Sequence, residues 1–188
     1  DLLGDGWHGT MNYAGFMRPV WAWLRGENLP SGPASGVFEL PVGIPRKPGP
    51  AIVRTMRAYR AGIPWSASLH SWAILDSHDS PRFQVIAGSR ERQLVGVGLQ
   101  MTTPGVPMVF AGDEIGLGGE WGEDARRTMP WSRPEEWDAS LLDGYRRLIA
   151  LRRASRALAR GGIRYVHVSD DAIAYVQAAV DAGLDVDD

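Results

Sequence analysis

The strongest constraint on this chain is the order of three segments. An apolar run at Trp72-Ala73-Ile74 is followed by a helix-patterned stretch over residues 89–101 and a second apolar run over residues 107–111. Strand, helix, strand in that order calls for a parallel pair, because parallel neighbours need a long crossover and a helix is the usual one. The chain therefore reads as α/β. Each run ends in polar residues: the first in Leu75-Asp76-Ser77-His78-Asp79-Ser80-Pro81-Arg82-Phe83, the second in Gly112-Asp113-Glu114. A strand end is rigid, so a side chain placed there can be held at a reacting bond with little slack. Taken alone, Asp79 reads more readily as the N-cap of the helix-like segment that follows, since Asp is a preferred cap.

The rest of the chain extends the alternation. Residues 9–13 read as a short strand, and residues 19–25 as a short helix with Trp21 and Leu24 on one side. Residues 26–50 are rich in Gly, Pro and Ser and read as a long loop. Residues 51–61 form a helix with Ile52, Met56 and Tyr59 at helical spacing, residues 64–72 link, and residues 73–76 form a strand. The helix over 89–101 turns Leu94, Val95 and Leu99 inward; its Gly96 and Gly98 weaken a helix but allow close packing against a neighbour. Residues 112–134 form a second Gly-rich loop holding Trp121 and Trp131. Asp138 is the candidate N-cap of the longest helix, 140–160, with Leu141, Tyr145, Leu148, Leu151 and Leu158 as its apolar stripe and Gly161-Gly162 as its stop. Residues 163–168 and 172–176 alternate as strands around Ser169-Asp170-Asp171, a hairpin signal.

Composition narrows the function classes. A net charge of −2 gives no electrostatic case for nucleic acid or a membrane surface as partner. No apolar run approaches the roughly 20 residues of a membrane span. The absence of Cys excludes disulfides and thiolate metal sites. The chain opens at Asp1 without Met, which puts any signal peptide outside it. The compartment stays open, with the cytoplasm as the expectation.

Pro104-Gly105-Val106-Pro107-Met108-Val109-Phe110-Ala111-Gly112-Asp113-Glu114 resembles the strand-eight motif of glycoside hydrolase family 13, the α-amylase family. Ser77-His78-Asp79 resembles its strand-seven motif, and Gly9-Thr10-Met11-Asn12-Tyr13 an earlier strand. The likeness is greatest to neopullulanase-, cyclomaltodextrinase- and α-glucosidase-like members and covers nearly the whole chain. It implies a partial (β/α)8 TIM barrel over residues 1–161, made of the late strands, about six to eight, with their helices. Residues 162–188 would begin a small C-terminal β domain. The family's nucleophile is an Asp in a Gly-x-Arg-x-Asp pattern on strand four, and its acid/base a Glu ending strand five. No Gly-x-Arg-x-Asp occurs here. The resemblance thus implies the C-terminal part of an enzyme, inactive by itself.

Glycoside hydrolysis with retention needs a nucleophilic carboxylate and an acid/base carboxylic acid ~5–5.5 Å apart, and develops positive charge on the sugar. By motif position the resemblance makes Asp79 the family's third carboxylate, which stabilises that charge. It makes His78 a donor to sugar hydroxyls beside the bond. In Trp121-Gly122-Glu123-Asp124-Ala125-Arg126-Arg127, Arg126 matches an Arg that in relatives grips the next sugar together with an Asp. Strict alignment puts Gly122 at that Asp, and Asp124 is the candidate substitute. Trp121 and Trp131 are candidates to stack on sugar faces. Asp113 and Glu114 are implied to be architectural, and Asn12 and Tyr13 suit function or folding equally. No cofactor is expected. Calcium is allowed in the full-length family, with no site evident in these residues.

The implied substrate is an α-1,4-glucan or maltodextrin, and a homodimer of the parent enzyme is allowed. The leading expectation is a retaining α-glycan hydrolase. A transglycosylase of the same family shares every motif. A non-catalytic family relative acting as scaffold or sugar binder would be expected to lose the carboxylates, whereas His78 and Asp79 are present. A small Trp-rich carbohydrate-binding domain does not account for the long βα pattern.

Overall fold

The computed structural model describes residues 6–27 and 43–178. Most of the loop expected over residues 26–50 lies outside them. Strands β1 (Trp72–Ile74) and β2 (Val106–Met108) pair in parallel, Trp72 opposite Val106 and Ile74 opposite Met108. On the other side of β1, Met11 bridges to Trp72, also in parallel. The Trp72 N–H donates to Thr10 O at 2.8 Å, and its carbonyl accepts from the Asn12 N–H at 3.0 Å. Chain order and spatial order therefore agree across these neighbouring segments. The strand expected over residues 9–13 shrinks to this bridge because the backbone turns at Asn12. There the Asn12 side chain accepts the Gly15 N–H at 2.8 Å and opens a π-helical turn, Tyr13–Met17. The turn runs on into α1 (Arg18–Leu24), with Pro19 in the first turn, where a missing N–H costs nothing.

Helices α2 (Gly49–Ala61) and α3 (Trp65–His70) precede β1; α3 occupies the segment expected to be a plain link. Helices α4 (Phe83–Ala87) and α5 (Arg90–Thr102) make the crossover between β1 and β2. The Ser89 hydroxyl caps α5 by accepting the Arg92 N–H at 3.3 Å. The two glycines of α5 differ. A Cβ on Gly96 would lie 2.4 Å from the Phe83 ring, so the close packing expected of it is present. A Cβ on Gly98 would meet nothing within 4 Å, and its place in the helix has no packing reason among the described residues.

Asp138 caps α7 (Ala139–Ala154), its carboxylate accepting the Leu141 N–H at 2.9 Å. Leu141 and Tyr145 are buried against the core, whereas Leu151, from the same expected stripe, is exposed. The helix breaks earlier than its periodicity implies. At Ser155 the hydroxyl accepts the Leu158 N–H at 3.3 Å and starts a separate helix, α8 (Arg156–Arg160). A short hydroxyl side chain offers the backbone an alternative partner, and here that alternative wins. The last turn of α7 carries Arg152, whose guanidinium donates to the carbonyls of Met101, Thr103 and Gly105 at 2.9, 3.1 and 2.6 Å. It thereby satisfies carbonyls that the end of α5 leaves unpaired.

Strands β3 (Gly162–Val168) and β4 (Ile173–Ala178) form the expected antiparallel hairpin, with a bulge between Tyr165 and His167. The hairpin is tied to the helices. Asp170 O accepts the Trp23 indole N–H at 2.8 Å and the Gly49 N–H at 2.9 Å, and the Tyr175 hydroxyl pairs with that of Thr102. The core gathers Met17, Val20, Trp21, Ile74, Leu75, Phe83, Ile86, Val97 and Met101, all buried. Each such burial stabilises by about 1.5–3 kcal/mol. Trp21 also donates its indole N–H to Leu75 O at 2.5 Å, fixing the strand just before its polar end. Among the described residues no helix is long and apolar enough to cross a membrane.

Candidate active site

β1 delivers Leu75, Asp76 and Ser77 into buried positions, and the chain then turns outward. The Ser80 N–H donates to Ser77 O at 3.2 Å, the Ser77 N–H to Ser80 Oγ at 3.0 Å, and the Asp79 N–H to Ser77 Oγ at 3.2 Å. These bonds close a tight turn that lifts His78 and Asp79 to the surface, with side chains 56% and 44% exposed. Ser77 Oγ also pairs with the Tyr13 hydroxyl at 2.9 Å, tying the turn to the neighbouring crossing. Tyr13 therefore reaches the site, while Asn12 serves as a cap.

His78 Nε2 lies 3.1 Å from Asp79 Oδ1, and Arg126 Nη2 lies 3.4 Å from the same oxygen. Arg126 Nε also donates to His78 O at 2.9 Å. Arg126 closes the short helix α6 (Gly122–Ala125), which sits directly on the turn. A Cβ on Gly122 would come 3.3 Å from His78 O and 3.4 Å from the Asp79 carbonyl carbon. Glycine at this position lets α6 close on the turn. Exposed ion pairs of this kind are worth little in water, so a polar ligand can replace them at small cost.

Asp124 is turned elsewhere. It accepts the Glu120 N–H at 2.8 Å and a fork from Arg127, Nε at 3.0 Å and Nη2 at 2.7 and 2.8 Å. The Glu120 N–H and then Arg127 hold its carboxyl below the usual range. The structure thus brings His78, Asp79 and Arg126 together and sets Asp124 against Arg127. Trp121 precedes α6 and is 43% exposed. Trp131 is exposed and packs edge-on against Trp137, ring centres 6.0 Å apart.

Sequence reasoning missed the layer beneath. Arg82 is fully buried: Nη1 donates to Asp113 Oδ1 at 2.7 Å and Phe110 O at 3.2 Å, and Nε to Ala125 O at 3.0 Å. Its guanidinium carbon stands 3.9 Å over the Phe110 ring, and its backbone N–H donates to Gly119 O at 2.9 Å. One side chain therefore joins the site turn, the loop after β2 and α6 beside Arg126. No local signal in the sequence marks it, because its partners lie 28, 31 and 43 positions away. Asp113 lies in a 3₁₀ turn, Asp113–Ile115, and Glu114 accepts the Gly112 N–H at 2.8 Å. Gly112 has φ of 106°, a conformation that favours glycine, and a Cβ there would meet Leu117 at 2.3 Å. The capping role open to Asp79 is taken by Asp76, which accepts the Phe83 N–H at the start of α4 at 2.6 Å. Among the described residues no group of three or more His, Cys, Asp or Glu could hold a metal ion.

No family model matches the chain. Sequence comparison finds 38% identity over 113 residues with neopullulanase 2 of Thermoactinomyces vulgaris, covering 60% of this chain and 19% of that protein. Cyclomaltodextrinase of Geobacillus thermopakistaniensis is 29% identical over 188 residues, 96% of this chain and 29% of that protein. The chain thus spans less than a third of the length of these curated relatives. In structure, the ligand-free cyclic α-maltosyl-(1→6)-maltose hydrolase of Arthrobacter globiformis superposes with a TM-score of 0.78 at 31% identity, covering 96% of this chain and 37% of that one. With the strand-end motifs, their order along the chain and these likenesses agreeing, the chain belongs to glycoside hydrolase family 13, the α-amylase family.

Proposed function

We propose that this chain supplies the transition-state carboxylate of a retaining α-glycan hydrolase that acts on α-1,4-glucans or maltodextrins, and that this carboxylate is Asp79. The observation that carries the reading is the convergence of His78 and Arg126 on Asp79 at the end of a parallel strand. Residues 1–161 read as late barrel strands with their helices, supported by the parallel order of Met11, β1 and β2. Residues 162–188 read as the beginning of a C-terminal β domain, supported by the β3–β4 hairpin. A glucan substrate fits the relatives: the Arthrobacter hydrolase has been solved with cyclic α-maltosyl-(1→6)-maltose and with maltose.

The chemistry follows from the geometry. As the glycosidic bond breaks, positive charge grows on the anomeric carbon and ring oxygen. Both neighbours of Asp79 address Oδ1; among the described residues Oδ2 is left for a sugar hydroxyl. His78 and Arg126 flank the carboxylate and offer N–H donors to the sugars on either side. Asp124, spent on Arg127, orders α6 instead of gripping sugar.

The chain contains no Gly-x-Arg-x-Asp pattern, and one carboxylate cannot perform double displacement. The purified chain alone is therefore expected to show no turnover of maltodextrins or chromogenic α-glucosides. Turnover that disappears in Asp79→Asn would overturn the reading. In the full-length protein, Arg126→Ala is expected to raise KM for maltodextrins about tenfold, the worth of one charge-assisted hydrogen bond. Its kcat should hardly move, because gripping a neighbouring sugar serves substrate and transition state alike. A single-sugar aryl glucoside, which has no neighbouring unit, should be hydrolysed almost as before.

A further inference from the structure

We propose that Asp76 is held as an uncharged carboxylic acid that donates its proton to Asp113, so that Asp76, Asp113 and Arg82 form one clamp holding the His78–Asp79 turn to the loop after β2. The clamp does not depend on the catalytic reading. Asp76, Asp113 and Arg82 are 1%, 3% and 1% exposed, so two carboxyl groups share a dry interior with one guanidinium. The guanidinium is committed to Asp113, and its other N–H groups go to the carbonyls of Phe110 and Ala125. Among the described residues Asp76 Oδ2 accepts only the neutral Phe83 N–H, at 2.6 Å. Asp76 Oδ1 is buried with no hydrogen-bond partner among the described residues, and the charge that acts on it most strongly is that of Asp113.

Two ionised carboxylates in that arrangement repel with no water to screen them, and one proton between them turns the repulsion into a hydrogen bond. The proton belongs on Asp76, because Asp113 already has the cation. The other titratable groups facing the pair do not offset a second negative charge. Glu114 adds to it, and the Tyr145 hydroxyl is kept neutral by burial. Burial first, and the Asp113 charge second, push the Asp76 carboxyl well above its ordinary value. With one proton the cluster of Asp76, Asp113 and Arg82 is neutral.

The folded chain therefore keeps a proton that the unfolded chain releases above the ordinary Asp range. A raised folded pKa gives stability that is full below the unfolded value and is lost as pH rises through the folded one. As pH rises above the ordinary Asp range the folding equilibrium constant should therefore fall, and the fall should be absent once this group no longer titrates. Asparagine has one oxygen to accept the Phe83 N–H and one NH₂ to donate to Asp113, so Asp76→Asn replaces both bonds without a titrating proton.

The test is an infrared difference spectrum of the wild-type chain against Asp76→Asn at pH 7, with denaturant unfolding of both from pH 5 to 7. A protonated-carboxyl carbonyl band in the wild type, shifted in D₂O and missing from the variant, is expected. So is a pH slope that Asp76→Asn removes. Absence of the band at pH 7, or parallel stability curves, overturns the clamp. Should Asp76→Asn not fold, the same band followed in the wild type with isotope-labelled aspartate decides. Neither readout involves sugar turnover, so a failed clamp and a failed catalytic assignment are distinguishable.

Discussion

Asp79→Asn in the full-length protein is expected to lower kcat on maltodextrins by about 10²–10³-fold, some 2.7–4 kcal/mol of transition-state stabilisation. KM should stay near its starting value. The asparagine keeps the size of the side chain and an oxygen toward Arg126 Nη2 and His78 Nε2, so the turn has no reason to move. What disappears is the negative charge, which matters only once positive charge appears on the sugar; the bound ground state is neutral there. Interactions made only in the transition state appear in kcat. This is the opposite signature to that of Arg126→Ala, and steady-state kinetics on an oligosaccharide and an aryl glucoside separate the two. Near-normal kcat in Asp79→Asn would remove the turn from the catalytic centre.

Arg82→Met should cost about 3–5 kcal/mol of stability, because it leaves Asp113 as a buried charge without its counter-ion. Methionine preserves most of the stem, so the loss is electrostatic more than steric. The carbonyls of Phe110 and Ala125 lose donors in the same step. Denaturant midpoints at constant slope measure it. Adding Asp113→Asn, which removes the stranded charge, should recover part of the loss, the non-additivity expected of directly bonded groups. A change in the single variant below about 1 kcal/mol, the range of exposed pairs, would mean that the charge is hydrated in solution.

The readable parts of the sequence are those governed by neighbours in the chain. Ser89 and Asp138 cap the helices expected of them, because a cap bonds to an amide two or three positions on. The hairpin around residues 169–171 was legible from alternation and a polar turn. The two apolar runs became parallel strands because the helix between them left little alternative. The convergence of Arg126 on Asp79 was legible only through the family resemblance, since the two are 47 positions apart. Arg82 and Asp76 were hidden for the same reason: nothing local distinguishes a buried Arg from a solvated one. Helix α3 was missed because its Trp, Ser, Ala and His make a weak pattern over a single short stretch. The break at Ser155 was missed because the apolar stripe runs through it, and a stripe cannot see a hydroxyl rebonding the backbone.

The bond from the Trp23 indole to Asp170 O has a kinetic meaning. It joins positions 147 apart, and the same carbonyl holds the Gly49 N–H at the start of α2. Closing a loop of that length costs chain entropy before any contact repays it, and folding slows as such closures accumulate. During synthesis α1 and α2 must wait, unfastened on this side, until the hairpin leaves the ribosome. The turn at residues 169–171 therefore acts as a late latch. A chain stalled before it keeps its βαβ crossover but carries an exposed tryptophan and an unpaired helix start, the kind of surface that quality-control machinery recognises.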